Sequence, residues 1–354
     1  MNVALVFNVK KENITEETAD PPSSDSKVHT SALYSKAVDE FAEWDTMETV
    51  NAVANSLSLF HDVSLVEADE EAYTKLRDGN FDIVFNIAEG LYGVSREAQI
   101  PAMLEFLRIP YTGSDVLTLA TCLDKSRTKE ILSFNGIRTA RFRVAHSIDE
   151  VDRIDLQYPL FVKPLHEGSS KGIFNSSCVF GEEALSREVE RILTNYEQPA
   201  LIEEYLPGRE FTVALLGNES ELKVLPIVEM NFSSLPSEAM PIYSYEAKWL
   251  WDTRDSPIEV FSCPAPIDSR LKKKIEEISL KTFNILRCRD WCRIDLRLDA
   301  EGEPNVLEVN PLPGILPDPN EHSCYPMAAR AAGMSYDDMI NAVLTAALRR
   351  LKKV

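Results

Sequence analysis

The chain has 354 residues, 44% of them apolar, and a formal charge of −20. That length exceeds one ordinary core, so two or three domains are expected. The acidic balance excludes broad binding to nucleic acid or to an anionic membrane surface, while a polyanionic small ligand needs only a local cluster of Lys, Arg and N–H groups. No apolar run nears the ~20 residues that span a bilayer. The start, Met1–Phe7, is apolar but short and lacks a basic flank, so it reads as a first strand and not a signal peptide. Six cysteines are scattered, and Cys288 and Cys292 have no second pair to complete a zinc site. Free thiols in a cytoplasmic protein are the expected state.

Residues 2–7 form the first strand, and the polar, Ser- and Asp-rich stretch over 9–30 with Pro21-Pro22 reads as a mobile loop. Helical spacing covers 46–60, with Asp45 or Thr46 as N-cap. A strand over 62–67, a helix over 72–78 ending at Gly79 and a buried strand over 81–86 follow. This alternation predicts an open parallel α/β sheet over 1–115. Ligands on such sheets sit beyond the C-terminal strand ends. Here that place is the loop Asn86–Gly93 before a helix over 95–107.

A helix over 116–122 leads to Asp124-Lys125 and a second helix over 126–135. Strands are expected over 142–144, 160–164, 178–180, 200–206, 209–216 and 222–229, and helices over 148–153, 181–195, 269–286 and 336–351. Residues 232–258 read as irregular. The domains are drawn at 1–115, 116–202 and 203–354, the second and third being α+β.

The chemistry gathers in a late hairpin. Arg293-Ile294-Asp295 and Leu307–Pro311 read as two strands joined by the turn formers of 299–305. Strand alternation puts Arg293 and Asp295 on one face, and likewise Glu308 and Asn310. Three hard oxygen ligands beside a cation suit Mg²⁺ bound to substrate phosphates. Alone, the same residues fit an exposed hairpin equally well. Upstream, Gly168-Ser169-Ser170-Lys171-Gly172 forms a Gly/Ser loop whose N–H groups and hydroxyls can cradle phosphates. It lacks the order of a P-loop. Lys163 closes a strand and Lys125 opens a helix, and both supply mobile point charges for phosphate oxygens. Glu203-Glu204-Tyr205-Leu206 is a strand end that offers backbone groups to an adenine edge and a carboxylate to ribose hydroxyls.

Taken together, these residues resemble the ATP-grasp superfamily and, within it, the D-alanine–D-alanine ligase family. The likeness runs from Ile109–Ser114 through Leu123–Lys125, Val162–Pro164, Glu167–Gly172, Glu203–Val213, Tyr245–Lys248 and Arg293–Asp295 to Glu308–Pro311. It implies an ATP-grasp fold: an N-terminal open parallel α/β domain, a central α+β domain and a C-terminal α+β domain, with ATP between the last two. It also implies roles. Lys125, Lys163, Ser169 and Ser170 would hold the phosphates. Glu203, Tyr205 and Leu206 would hold adenine, and Glu210 the ribose. Lys248 would meet the γ-phosphate. Asp295, Glu308 and Asn310 would coordinate Mg²⁺ (or Mn²⁺), with Arg293, Ser169 and Lys248 as the catalytic set.

The implied activity joins a small carboxylate to an amine through an acylphosphate, releasing ADP and phosphate. The alternatives are other amino-acid or metabolite substrates, an ATP-grasp kinase, or a nucleotide-binding module without catalysis. A homodimer is expected. The sequence departs from the family at Phe7–Glu12, which has no glycine, at Trp249 where a tyrosine is expected, and at Pro311–Asp318, where a Thr-Ser-Pro-Gly segment is usual. The phosphoryl machinery is intact while the amino-acid pockets are rebuilt, so the substrates need not be two D-alanines.

Overall fold

The computed structural model describes residues 1–10, 43–236, 239–244, 246–247 and 260–353. The loop expected over 9–30 lies outside these residues beyond Lys10, as do Tyr245, Lys248 and Trp249.

The N-terminal sheet is parallel, in the order β2 (Asp62–Glu67), β1 (Asn2–Phe7), β3 (Ile83–Asn86). Helix α1 (Met47–Ser58) is capped by Thr46, whose Oγ1 accepts from Thr49 N at 3.4 Å. Val3, Leu5 and Phe7 face α1, whereas Ala4 and Val6 face α2 (Ala72–Asp78) and α3 (Gln99–Leu107). Coverage on both faces explains why β1 is an unbroken apolar run. Tyr111 bridges to Val84 at the sheet edge, so the short connection over 109–114 extends the sheet.

Helices α4 (Val116–Leu123) and α5 (Lys125–Phe134) follow, and Asp124 caps α5 through the N–H groups of Ser126 and Arg127. The central sheet comprises β4 (Phe142–Ala145), β5 (Leu160–Pro164), β6 (Cys178–Val179) and β7 (Ala200–Glu204), antiparallel and ordered β4-β7-β5-β6. Leu185, Val189 and Ile192 of α6 (Glu182–Asn195) cover it at helical spacing.

The C-terminal sheet contains β8 (Glu210–Leu216), β9 (Lys223–Val224), β10 (Val228–Met230), β11 (Phe261–Ser262), β12 (Trp291–Leu298) and β13 (Pro304–Asn310). Its order is β11-β10-β8-β12-β13, with β9 beside β8. One face packs on α5 and α7 (Ser269–Ile285). The other face is divided along β12. Trp291 joins the core formed by the N-terminal sheet, α8 (Cys324–Ala331) and α9 (Tyr336–Arg350). Two and four residues further on, Arg293 and Asp295 leave that core and form a polar cluster with Thr212 and Asn310. No helix among the described residues is long and apolar enough to cross a membrane, and all six cysteines are free thiols.

Leu132 of α5 packs with the C-terminal sheet, and the ladder of β7 to β5 continues to Leu160↔Glu204. Three expectations differ from the structure. The single strand expected over 222–229 is two, because Pro226 between them has no N–H to donate. Residues 148–153 form a 3-10 turn instead of an α-helix. Helix α8 had no sequence signal, since Pro326 reads as a breaker, yet it falls in the first turn where a missing N–H is harmless.

Candidate active site

The β12–β13 hairpin carries the polar cluster. Arg293 pairs with Asn310 and Asp295 with Glu308 in an antiparallel register, so all four side chains share one face. Arg293 donates from Nε to Asp295 Oδ1 at 3.1 Å and from Nη2 to Oδ2 at 3.0 Å. Asn310 Nδ2 donates to Asp295 Oδ2 at 3.1 Å, and Thr212 of β8 donates its hydroxyl to Asp295 Oδ1 at 2.7 Å. Burial pushes the Asp295 carboxyl up, against the pull of Arg293, and the Glu308 charge adds to the rise. Burial also works against ionised Glu308, but Lys125, Lys163 and Arg293 outweigh it and hold that carboxyl at about 2.

Lysines approach the hairpin from the start of α5 and from β5 of the central sheet. Lys125 Nζ donates to the carbonyl of Glu167 and lies 3.5 Å from Glu308. Lys163 Nζ lies 2.7 Å from Glu203, whose other oxygen meets Lys129. The carboxylate of Glu203 is thus engaged inside the wall by two ammonium groups and is 2% exposed. Burial opposes its ionisation, yet Lys129 and Lys163 bring its pKa below the ordinary value. Lys129 was not among the sequence candidates. Its signal is the helical spacing of four from Lys125, which puts both ammonium groups on one face.

Tyr205 and Leu206 lie on the linker between β7 and β8, beside Glu210. Arg297 organises this end and was also missed. It donates to Glu210 Oε2 at 2.9 Å, to the Tyr205 hydroxyl at 2.8 Å, to Gly208 O at 3.2 Å and to Pro241 O at 2.7 Å. Its guanidinium stacks on the Tyr205 ring at 4.9 Å. The alternation that pairs Arg293 with Asp295 reaches Arg297 two residues on, so the signal was in the strand pattern. Gly208 sits against the Leu298 backbone, where an added Cβ would lie 2.7 Å from the Leu298 carbonyl oxygen. Gly208→Ala is expected to cost about 1–3 kcal/mol through overpacking, read as a lower melting temperature together with weaker adenosine binding.

The Gly/Ser loop reaches the hairpin through Lys125, which meets both the Glu167 carbonyl and Glu308. Ser169 and Ser170 have φ of 49° and 60°, a left-handed region uncommon for such residues. Strain of this kind is of order 1–3 kcal/mol per residue and persists only where the surroundings enforce it. Ser170 Oγ donates to Tyr243 O at 2.9 Å, while Ser169 is exposed. These contacts fall into groups: Lys125 meets Glu308 on the hairpin that carries Arg293, Asp295 and Asn310, Lys163 meets Glu203, Arg297 joins Glu210 to Tyr205, and Ser170 meets Tyr243. Ser169 stands at the loop tip, and Lys248 lies outside the described residues.

A model of the D-ala D-ala ligase C-terminus matches residues 130–345. A D-alanine–D-alanine ligase of Cupriavidus necator is 32% identical over 78% of this chain and 79% of its own length. The chain belongs to the D-alanine–D-alanine ligase family. It is accordingly an ATP-dependent carbon–nitrogen ligase, and the family works with ATP and Mg²⁺. A D-alanine–D-alanine ligase of Bordetella avium is 34% identical over 82% of this chain and 86% of its own. An uncharacterized protein of Sinorhizobium fredii is 41% identical over 76% and 75%. The crystal structure of the D-alanine–D-alanine ligase of Bacillus anthracis has the same ATP-grasp fold, with a TM-score of 0.70 at 22% identity over 100% of this chain and 99% of that one.

The donor set fits Mg²⁺ held jointly with phosphates. Among the described residues no group of three His, Cys, Asp or Glu side chains could hold a metal by itself. Two carboxylates and one amide, beside lysines that attract phosphate, match an ion that takes its remaining ligands from substrate and water.

Proposed function

We propose that this ligase activates a small carboxylate with ATP, passes the acyl group to an amine, and does so on substrates other than two D-alanines. The observation that carries the reading is the convergence of Arg293, Asp295, Glu308 and Asn310 with Lys125, 3.5 Å from Glu308. In this reading Asp295, Glu308 and the Asn310 amide oxygen hold Mg²⁺ (or Mn²⁺). The ion, when bound, neutralises charge on the phosphate oxygens. Lys125, Lys163, Ser169 and Ser170 grip the phosphates. Tyr205 and Leu206 flank adenine, and Glu210 takes the ribose. Glu203 contributes by orienting Lys163. Lys248 at the γ-phosphate rests on the sequence alone.

A carboxylate oxygen attacks the γ-phosphorus as the bond to ADP breaks. The amine nitrogen then attacks the acyl carbon of the acylphosphate, a tetrahedral species forms, and its carbon–oxygen bond to phosphate breaks, the phosphate leaving with the proton that the nitrogen gives up. Charge collects first on phosphoryl oxygens and then on the carbonyl oxygen, where the Arg293 fork and the lysines stabilise it. The Gly/Ser loop keeps water from the acylphosphate.

Two regions support amino-acid pockets of their own. Phe7-Asn8-Val9-Lys10 leaves β1 without a glycine. Past Asn310 the chain folds back on itself: Ser323 Oγ donates to Gly314 O at 3.0 Å, and Tyr336 donates its hydroxyl to Ile315 O at 2.8 Å. A homodimer in the cytoplasm belongs to the same reading. The free thiols are consistent with that location, and sedimentation would read the dimer. Purified protein should release phosphate from ATP only when both a carboxylate and an amine are present, with an amide product found by mass analysis. Phosphate transfer that ignores the amine would make it a kinase. Efficient formation of D-alanyl-D-alanine would overturn the substrate clause alone. Arg293→Lys should lower kcat by about 10²-fold, since a point charge loses the planar two-bond contact, as steady-state ADP release would report.

A further inference from the structure

A cluster of buried charges outside the phosphoryl centre holds the Gly/Ser loop. Arg96, in the loop after β3, donates from Nη1 to His166 O at 2.8 Å and from Nη2 to both oxygens of Glu43 at 3.0 and 2.7 Å. It also lies 3.4 Å from Glu167. Glu43 in turn accepts from Gly168 N at 2.7 Å. Lys171 closes the circuit, 2.8 Å from Glu167 and 3.9 Å from Glu43. The Arg96, Glu43 and Lys171 side chains are 7–8% exposed.

Its contacts fall on the residues before and after the strained pair. Arg96 fixes the His166 carbonyl, Glu43 fixes the Gly168 N–H, and the left-handed Ser169 and Ser170 come next. Nothing in a Ser-Ser pair favours that backbone by itself. Part of the enforcement comes from the N-terminal domain, since Arg96 follows β3 and Glu43 precedes α1, and Lys125, Gln198 and the Tyr243 carbonyl hold the same loop from other elements.

We propose that Arg96 is a positioning residue for ATP, acting through Glu43 and the backbone of residues 166–168 to preset the loop that closes on the phosphates. The proposal rests on the reading that phosphates lie beneath this loop. In that reading adenosine meets the β7–β8 linker and Glu210 at the start of β8, not the Gly/Ser loop, so the two halves of ATP report separately. Arg96→Gln should weaken a non-hydrolysable ATP analogue with Mg²⁺ by about tenfold to a hundredfold, with adenosine affinity within about twofold of the natural chain. Arg96→Lys should fall between them, because an ammonium cannot serve three acceptors in one plane. Calorimetric titration of both ligands reads these values. Should Arg96→Gln fail to fold, Glu43→Gln decides, since it keeps an acceptor for Gly168 N but removes the charge Arg96 grips. Its expected loss for the triphosphate analogue is about threefold to tenfold. Unchanged analogue affinity in the folded variants, or parallel loss of adenosine, overturns the proposal. A natural chain that binds adenosine but not the analogue overturns the underlying reading instead.

Discussion

Asp295→Ala is expected to lower ATP turnover by on the order of 10²–10³ or more, while adenosine still binds. Asp295 accepts from Arg293, Asn310 and Thr212 at 2.7–3.1 Å. In the proposed reading its loss removes one of the two carboxylates that would hold Mg²⁺ and frees the guanidinium proposed to face the phosphoryl oxygens. An ion that prefers six oxygen ligands would have to replace it with water, and the phosphates would lose their fixed geometry. Glu308→Ala should act alike, with the added effect that Lys125 loses its partner at 3.5 Å. ADP release at saturating Mg²⁺, paired with an adenosine titration, separates lost chemistry from lost fold. Turnover within tenfold of the natural chain in either variant would sink the metal assignment.

Glu203→Gln should produce the largest stability loss. The carboxylate is buried between Lys129 and Lys163, which are 1% and 6% exposed at the side chain. Removing one member of a buried ionic group leaves the others uncompensated, at about 3–5 kcal/mol. At roughly 2–4 °C per kcal/mol for a chain of this class, melting should fall by about 10 °C. The sign of the pH effect follows from the depressed Glu203 pKa. Its contribution is complete above the ordinary glutamate pKa and is lost as pH falls through the lower folded value. The natural chain should therefore lose more stability between neutral pH and acid than Glu203→Gln does. Equal acid limbs in the two proteins would show that Glu203 does not stay ionised in the fold.

Local pattern made much of this molecule legible. Apolar runs marked β1 and β3, Thr46 and Asp124 announced helix starts, and alternation along 293–295 and 308–310 correctly put four polar groups on one face. These features arise from neighbours within a few residues, where chain geometry leaves few options. The same rule, carried two residues further, would have reached Arg297. Lys129 was within reach of helical spacing.

Other features depend on contacts between distant segments. Glu203 reads as a strand-end carboxylate open to a nucleotide, and only the approach of Lys129 and Lys163 turns it into a buried anchor. Core packing sets α5 against the C-terminal sheet although the chain enters the central sheet directly after it. Arg96 and Glu43 are 53 residues apart and carry no motif, yet they meet at the loop over 166–168. From the chain alone come the residue types, the local elements and the order of the ATP-grasp motifs. The fold alone decides which charges are buried together, because burial and pairing are set by packing across long stretches of chain and leave no trace in local periodicity.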